Sequence, residues 1–166
     1  VQSGEIRIGS QNISALDKQQ WRRSISYVSQ EMQLFSGTIR ENLLYGITRA
    51  VSESELQNAL KTACADQFIA AFPNGLEEQV GVNGANLSGG QSRRLMIAHA
   101  LLKGTNLLLL DEITANLDVE SARAINKTIR SIAAEKTVLM VSHDMKAVAD
   151  ADNILVLDGG TVSPMG

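Results

Sequence analysis

The sequence has 166 residues, 44% of them apolar and only 4% aromatic, enough for one domain whose core is built mainly from Leu, Ile, Val and Ala. A formal net charge of −3, with arginines paired only as Arg22-Arg23 and Arg93-Arg94, lacks the basic stripe typical of nucleic-acid binders, so no nucleic-acid partner is expected. Cys64 is the only cysteine, which excludes an internal disulfide or a cysteine metal cluster, and the longest aliphatic run, Leu107 to Leu110, is far short of a membrane span.

In chain order, "EIRI" alternates as a half-buried strand does. The opening "SGEIRIG" reads as a strand already under way, and nothing there reads as a secretory signal, so the chain is expected to be a piece of a longer polypeptide. Asp17 and Gln20 form a capping pair for a short helix, and "SISYV" is a strand followed by Gln30. "VSESELQNALKTACADQFIAAF" is read as helical, opened by the Ser52/Glu55 box, with Leu56, Leu60 and Ala63 on one face. Further on, "LLLLDE" is apolar on both faces, as a central strand of a parallel sheet covered on both sides would be. Asp118 caps a helix striped by Ala122, Ile125, Ile129 and Ile132; "TVLMVSH" is a second buried strand and "NILVLDGG" a third that ends in a turn. Strand, helix, strand is a βαβ unit with a right-handed crossover. The fold class is α/β: a core from about 1–30 and 101–166, with a mostly helical insert, about 31–100, between them.

Four stretches carry chemistry. Asp111 ends a buried strand, where open α/β sheets place ligands; it is a candidate for magnesium, and Glu112 for orienting or deprotonating a water. Alone, four leucines before Asp-Glu read more simply as a strand running into a polar turn. Ser88 and Gln91 stand in the relation of a helix capping box, yet Gly89 and Gly90 between them cost roughly 1 kcal/mol each against alanine in a helix. That cost suggests that something approaches the backbone closely, and bare amides at a helix start make an anion site, phosphate being the natural occupant. His143 and Gln30 each follow a strand. Singly, they read as a structural hydrogen-bonder and a loop glutamine.

Taken in order, Gln30, "LSGGQ", "LLLLDE", "NLD" and His143 resemble the nucleotide-binding domain of ABC transporters. "LSGGQ" matches the signature motif, "LLLLDE" the Walker B motif with its glutamate, Asp118 the D-loop aspartate, His143 the switch histidine and Gln30 the Q-loop glutamine. "LFSGTIRENLLYG" resembles the exporter-type branch and argues against a soluble ABC ATPase of DNA repair or translation. Val82 and Asn83 stand where exporters usually have Glu-Arg, and Ala115 where the D-loop commonly has serine.

The resemblance implies a P-loop NTPase-like (RecA-like), mostly parallel core with an inserted helical subdomain, incomplete here at both ends. It implies ATP and Mg2+, with Gln30, Glu112 and His143 catalytic, Asp111 and Gln30 serving the metal, and Ser88, Gly89, Gly90, Gln91 and Asp118 on nucleotide. It also implies a second ABC ATPase domain arranged head to tail, transmembrane domains of the same transporter, and a place at the cytoplasmic face of the membrane. The P-loop pattern G-x-x-x-x-G-K-[ST] occurs nowhere in these residues, so the chain alone is expected to bind ATP poorly and turn it over negligibly. A non-catalytic binding module is the reading from another class.

Overall fold

The computed structural model describes residues 3–30 and 34–165. Strands β1 (Arg7–Ile8) and β2 (Gln11–Asn12) form a small antiparallel hairpin, followed by α1 (Lys18–Arg23), whose first turn Asp17 caps by accepting from the Gln20 amide at 2.8 Å. Strand β3 (Ile25–Val28) comes next. The short strand β4 (Gly37–Thr38) leads into α2 (Ile39–Leu44), then α3 (Glu53–Thr62) and α4 (Asp66–Ala70). Strand β5 (Gln79–Val80) pairs antiparallel with β4 and precedes α5 (Gly89–Leu102). The remainder is β6 (Leu107–Asp111), α6 (Val119–Ala133), β7 (Thr137–Val141), α7 (Met145–Val148) and the strands β8 (Ile154–Asp158) and β9 (Thr161–Met165).

The α/β reading holds. Strands β3, β6 and β7 form one parallel sheet with β6 in the middle, so a strand from early in the chain is joined to two from late in it. The step from β6 through α6 to β7 is the expected βαβ unit. Register places Val28 beside Leu110 and Leu110 beside Met140, so one face of the sheet is a continuous apolar surface against α5 and α6. The isoleucine stripe of α6 lies on that surface: Ile125, Ile129 and Ile132 are all buried. Leu110, 1% exposed, sits at its centre. Leu110→Ala is expected to cost about 2–5 kcal/mol of unfolding free energy, read from the midpoint and slope of a denaturant titration.

Several expectations are corrected. "EIRI" is not a half-buried strand: only Arg7 and Ile8 pair, and both are exposed. The helix expected across Cys64 is two, because Cys64 adopts φ +53 and ends α3 there; the Ser52/Glu55 capping box at its start is present. Neither β6 nor β7 is covered on both sides. Burial alternates along each, leaving Leu139 and Val141 exposed beside half-buried Leu109. Finally, "NILVLDGG" does form a strand that ends in a turn, but β8 is largely exposed rather than buried. Gly159 and Gly160 both take positive φ, the backbone of a tight two-residue hairpin turn, so β8 folds back antiparallel onto β9 in a separate sheet.

Helix α5 shows how local chemistry fixes an element that the site needs. It opens with a complete capping box, buries Leu95, Ala98 and Leu102 on one side, and stops at Gly104, whose φ of +74 suits a helix end. The Ser26 hydroxyl on β3 donates to the Ala100 carbonyl at 2.9 Å, fixing the helix to the sheet.

Candidate functional site

Because the three strands run in parallel, their C-terminal ends share an edge, and Gln30, Asp111, Glu112 and His143 all lie along it. Asp111 closes β6 and its Oδ2 accepts from the Tyr27 hydroxyl at 3.0 Å. Glu112 donates its amide to the Val141 carbonyl at 2.9 Å, extending the ladder past the strand, while its φ of +46 turns the chain sharply. A non-glycine residue held there costs about 1–3 kcal/mol, and such residues concentrate at functional sites. The turn brings the Glu112 carboxylate to 3.3 Å from His143 Nδ1, beside an open cleft of approximately 380 Å3 whose walls include Thr114, Asn116 and Ser142. His143 is itself 73% exposed, well placed to meet a ligand. Gln30 is exposed just beyond β3.

Ser88 to Gln91 form a second cluster. The Ser88 hydroxyl accepts from the Gln91 amide at 3.2 Å and the Gln91 side-chain oxygen accepts from the Ser88 amide at 2.9 Å, the capping box read from the sequence. The Gly89 and Gly90 amides have no acceptor among the described residues. Part of what approaches the glycines is this chain itself. A Cβ at Gly90 would lie 2.8 Å from Ser121 Oγ and 3.1 Å from Ser121 Cβ, and one at Gly89 would lie 3.2 Å from Leu117 Cδ2. The start of α5 is therefore seated against the start of α6. Among the described residues no hydrogen bond or ion pair links Ser88–Gln91 to Asp111, Glu112 or His143.

Asp118 joins this second cluster through α6, which it caps by accepting from the Ser121 amide at 2.8 Å. The Ser121 hydroxyl, and after it the Ser121 amide, hold the Asp118 carboxyl below its ordinary value. A depressed pKa means that the cap contributes fully above the ordinary aspartate value of about 3.9 and loses that contribution as pH falls through the lower folded value. Thermal melts should then show this contribution level between about pH 7 and 5 and fading below about pH 4. Asp118→Asn caps without titrating and should lose that acid-dependent part, whereas an unchanged profile would remove Asp118 as its source.

Tyr27, Leu117, Ser121 and Arg93 were not singled out from the sequence. Alternation along "SISYV" fixes which face Tyr27 occupies, but only the pairing of β3 with β6 brings it to Asp111.

An α/β domain with a carboxylate pair on the C-terminal edge of a parallel sheet, and a glycine-bearing helix start seated on the next helix, defines a ligand-binding class. The ABC transporter family model matches residues 1–115, and the chain belongs to that family. It is 38% identical over 164 residues to a multidrug resistance ABC transporter ATP-binding and permease protein of Lactococcus lactis subsp. cremoris, covering 99% of this chain and 28% of the relative. It is 40% identical over 166 residues to an ATP-dependent lipid A-core flippase of Vibrio vulnificus, covering 100% of this chain and 28% of that protein. Among solved structures, a bacterial Atm1-family ABC exporter with ATP bound superposes with a TM-score of 0.85 at 38% identity, over 95% of this chain and 27% of that one. The chain thus spans little more than a quarter of the length of these relatives. Among the described residues no helix is long and apolar enough to cross a membrane.

Proposed function

We propose that the chain is part of the ATP-binding and hydrolysing domain of an exporter-type ABC transporter, seated on the cytoplasmic side of the membrane and coupling ATP hydrolysis to transmembrane transport. The observation that carries this reading is the Glu112–His143 pair at the sheet edge, in a chain of this family. Glu112 Oε1 accepts a proton from the attacking water, and His143, exposed beside it, donates to a terminal phosphate oxygen. Asp111 and Gln30 would hold Mg2+ on the same edge. An Asp111 carboxylate oxygen at the end of β6 is the hard donor that magnesium takes, so the residues present fit the ion. The chemistry such an ion would supply there is positive charge to offset that developing on the transferred phosphoryl group.

Ser88, Gly89, Gly90 and Gln91 serve a different nucleotide. The Gly89 and Gly90 amides, without an acceptor among the described residues, sit at the positive end of a helix apart from the Glu112 edge, which favours a head-to-tail pair of domains in which each signature helix meets the γ-phosphate bound by its partner, with Asp118 near the shared interface. Transmembrane domains complete the assembly, closing and opening with the ATPase pair.

The test is complementation in trans. The chain, which contains no P-loop pattern, is mixed with a partner domain that keeps its P-loop but carries a defective signature. Recovery of ATP hydrolysis above either component alone is the expected outcome. No recovery, with both components folded, counts against the trans role.

A further inference from the structure

Arg93 lies near the start of α5 and is 6% exposed. A guanidinium carries five donors, and a buried one is ordinarily matched by a carboxylate. Here Nη1 donates to the Ser29 carbonyl at 2.9 Å, Nε is buried without an acceptor, and Arg93 makes no ion pair with a carboxylate among the described residues. Burial pushes its pKa down.

A buried, unpaired charge costs stability, and an apolar side chain of similar length would pack at this place more cheaply. What the charge gains is a grip on one peptide unit. Ser29 directly precedes Gln30. Further along the chain, the Asn83 amide, in the segment that leads into α5, donates to the Leu34 carbonyl at 2.9 Å. The signature helix and its approach therefore hold the chain on both sides of Gln30, and Arg93 supplies the only side-chain contact of the two.

We propose that Arg93 is a positioning residue: it fixes the Ser29 carbonyl and so sets Gln30 relative to the signature helix, coupling the metal edge of the site to the trans-acting edge. The role of Gln30 itself rests on the proposed function above.

The test uses the full-length transporter with Arg93→Met, which keeps a long apolar stem and removes the donors, and Arg93→Gln as a second variant. Expected is a fall in kcat of about tenfold, with a higher Mg2+ concentration at half-maximal rate and KM for ATP within about twofold of wild type. Melting temperatures should stay within about 4 °C of wild type. Deuterium uptake of the peptide covering residues 25–30 should be faster in both variants while uptake in β6 is unchanged. Unaltered kcat, magnesium dependence and uptake would overturn the proposal. So would loss of fold in both variants, which would give Arg93 a purely structural role. If the wild-type protein hydrolysed no ATP, the functional reading would fall, and the uptake measurement would still decide whether Arg93 holds the loop before Gln30.

Discussion

Glu112→Gln in the full-length protein is expected to lower ATP turnover by about 10²- to 10⁴-fold, the range for removing a general base. The substitution preserves shape and hydrogen-bonding capacity while removing the basic carboxylate, so it isolates proton transfer from architecture. The backbone supports that separation, since the turn at φ +46 is held by the Glu112 amide on the Val141 carbonyl and does not depend on the carboxylate. ATP-dependent association of two such domains should persist in the variant, because in the proposed mechanism binding and closure do not need the Glu112 carboxylate as a base. Steady-state phosphate release and a size measurement with and without ATP read the two halves. Normal turnover in Glu112→Gln would remove this residue from the chemistry.

The second large effect is at Gly90. Alanine there would normally favour a helix, by roughly 1 kcal/mol over glycine. Here its methyl would fall 2.8 Å from Ser121 Oγ and 3.1 Å from Ser121 Cβ, closer than packed atoms tolerate. Gly90→Ala is therefore expected to destabilise the domain by about 1–3 kcal/mol, the usual cost of overpacking. Ser121→Gly opens the space and keeps the amide that Asp118 caps, so the double variant should recover most of the loss, with a coupling energy of about 0.5–3 kcal/mol. Absence of any rescue would mean that the contact with Ser121 is not what requires glycine. If the double variant regains stability but not ATP hydrolysis, Gly90 has two duties, one toward α6 and one toward a partner's phosphate.

These two cases divide what was legible beforehand. The capping boxes at Ser52 and Ser88, the cap at Asp118 and the isoleucine stripe of α6 are local patterns, set by atoms a few residues apart, and all are found where they were expected. The motif order from Gln30 to His143 likewise identified the family without coordinates. Expectations failed where the outcome depended on distant or strongly turned backbone. The length of the helix before Cys64 turned on one residue at positive φ, and the burial expected of "NILVLDGG" failed because its strand pairs with β9 in a separate, exposed sheet. Continuous apolar runs such as "LLLLDE" and "TVLMV" signalled strands, but a run cannot say how many faces will be covered. In this structure one face of the sheet is packed and the other carries exposed Leu139 and Val141.

The sequence by itself determined the α/β class, the helix starts and the identity of the candidate chemical groups, because each is written in residue type and short spacing. Only the tertiary structure decided which of those groups meet. Parallel pairing of β3, β6 and β7 gathers Gln30, Asp111, Glu112 and His143 on one edge, although they come from strands far apart in the chain. Close packing of α5 on α6 gives Gly90 a neighbour in Ser121, and burial leaves Arg93 with the Ser29 carbonyl as its partner. Such contacts depend on strand register and on the approach of one helix to another, and these are fixed only when the whole chain closes around its core.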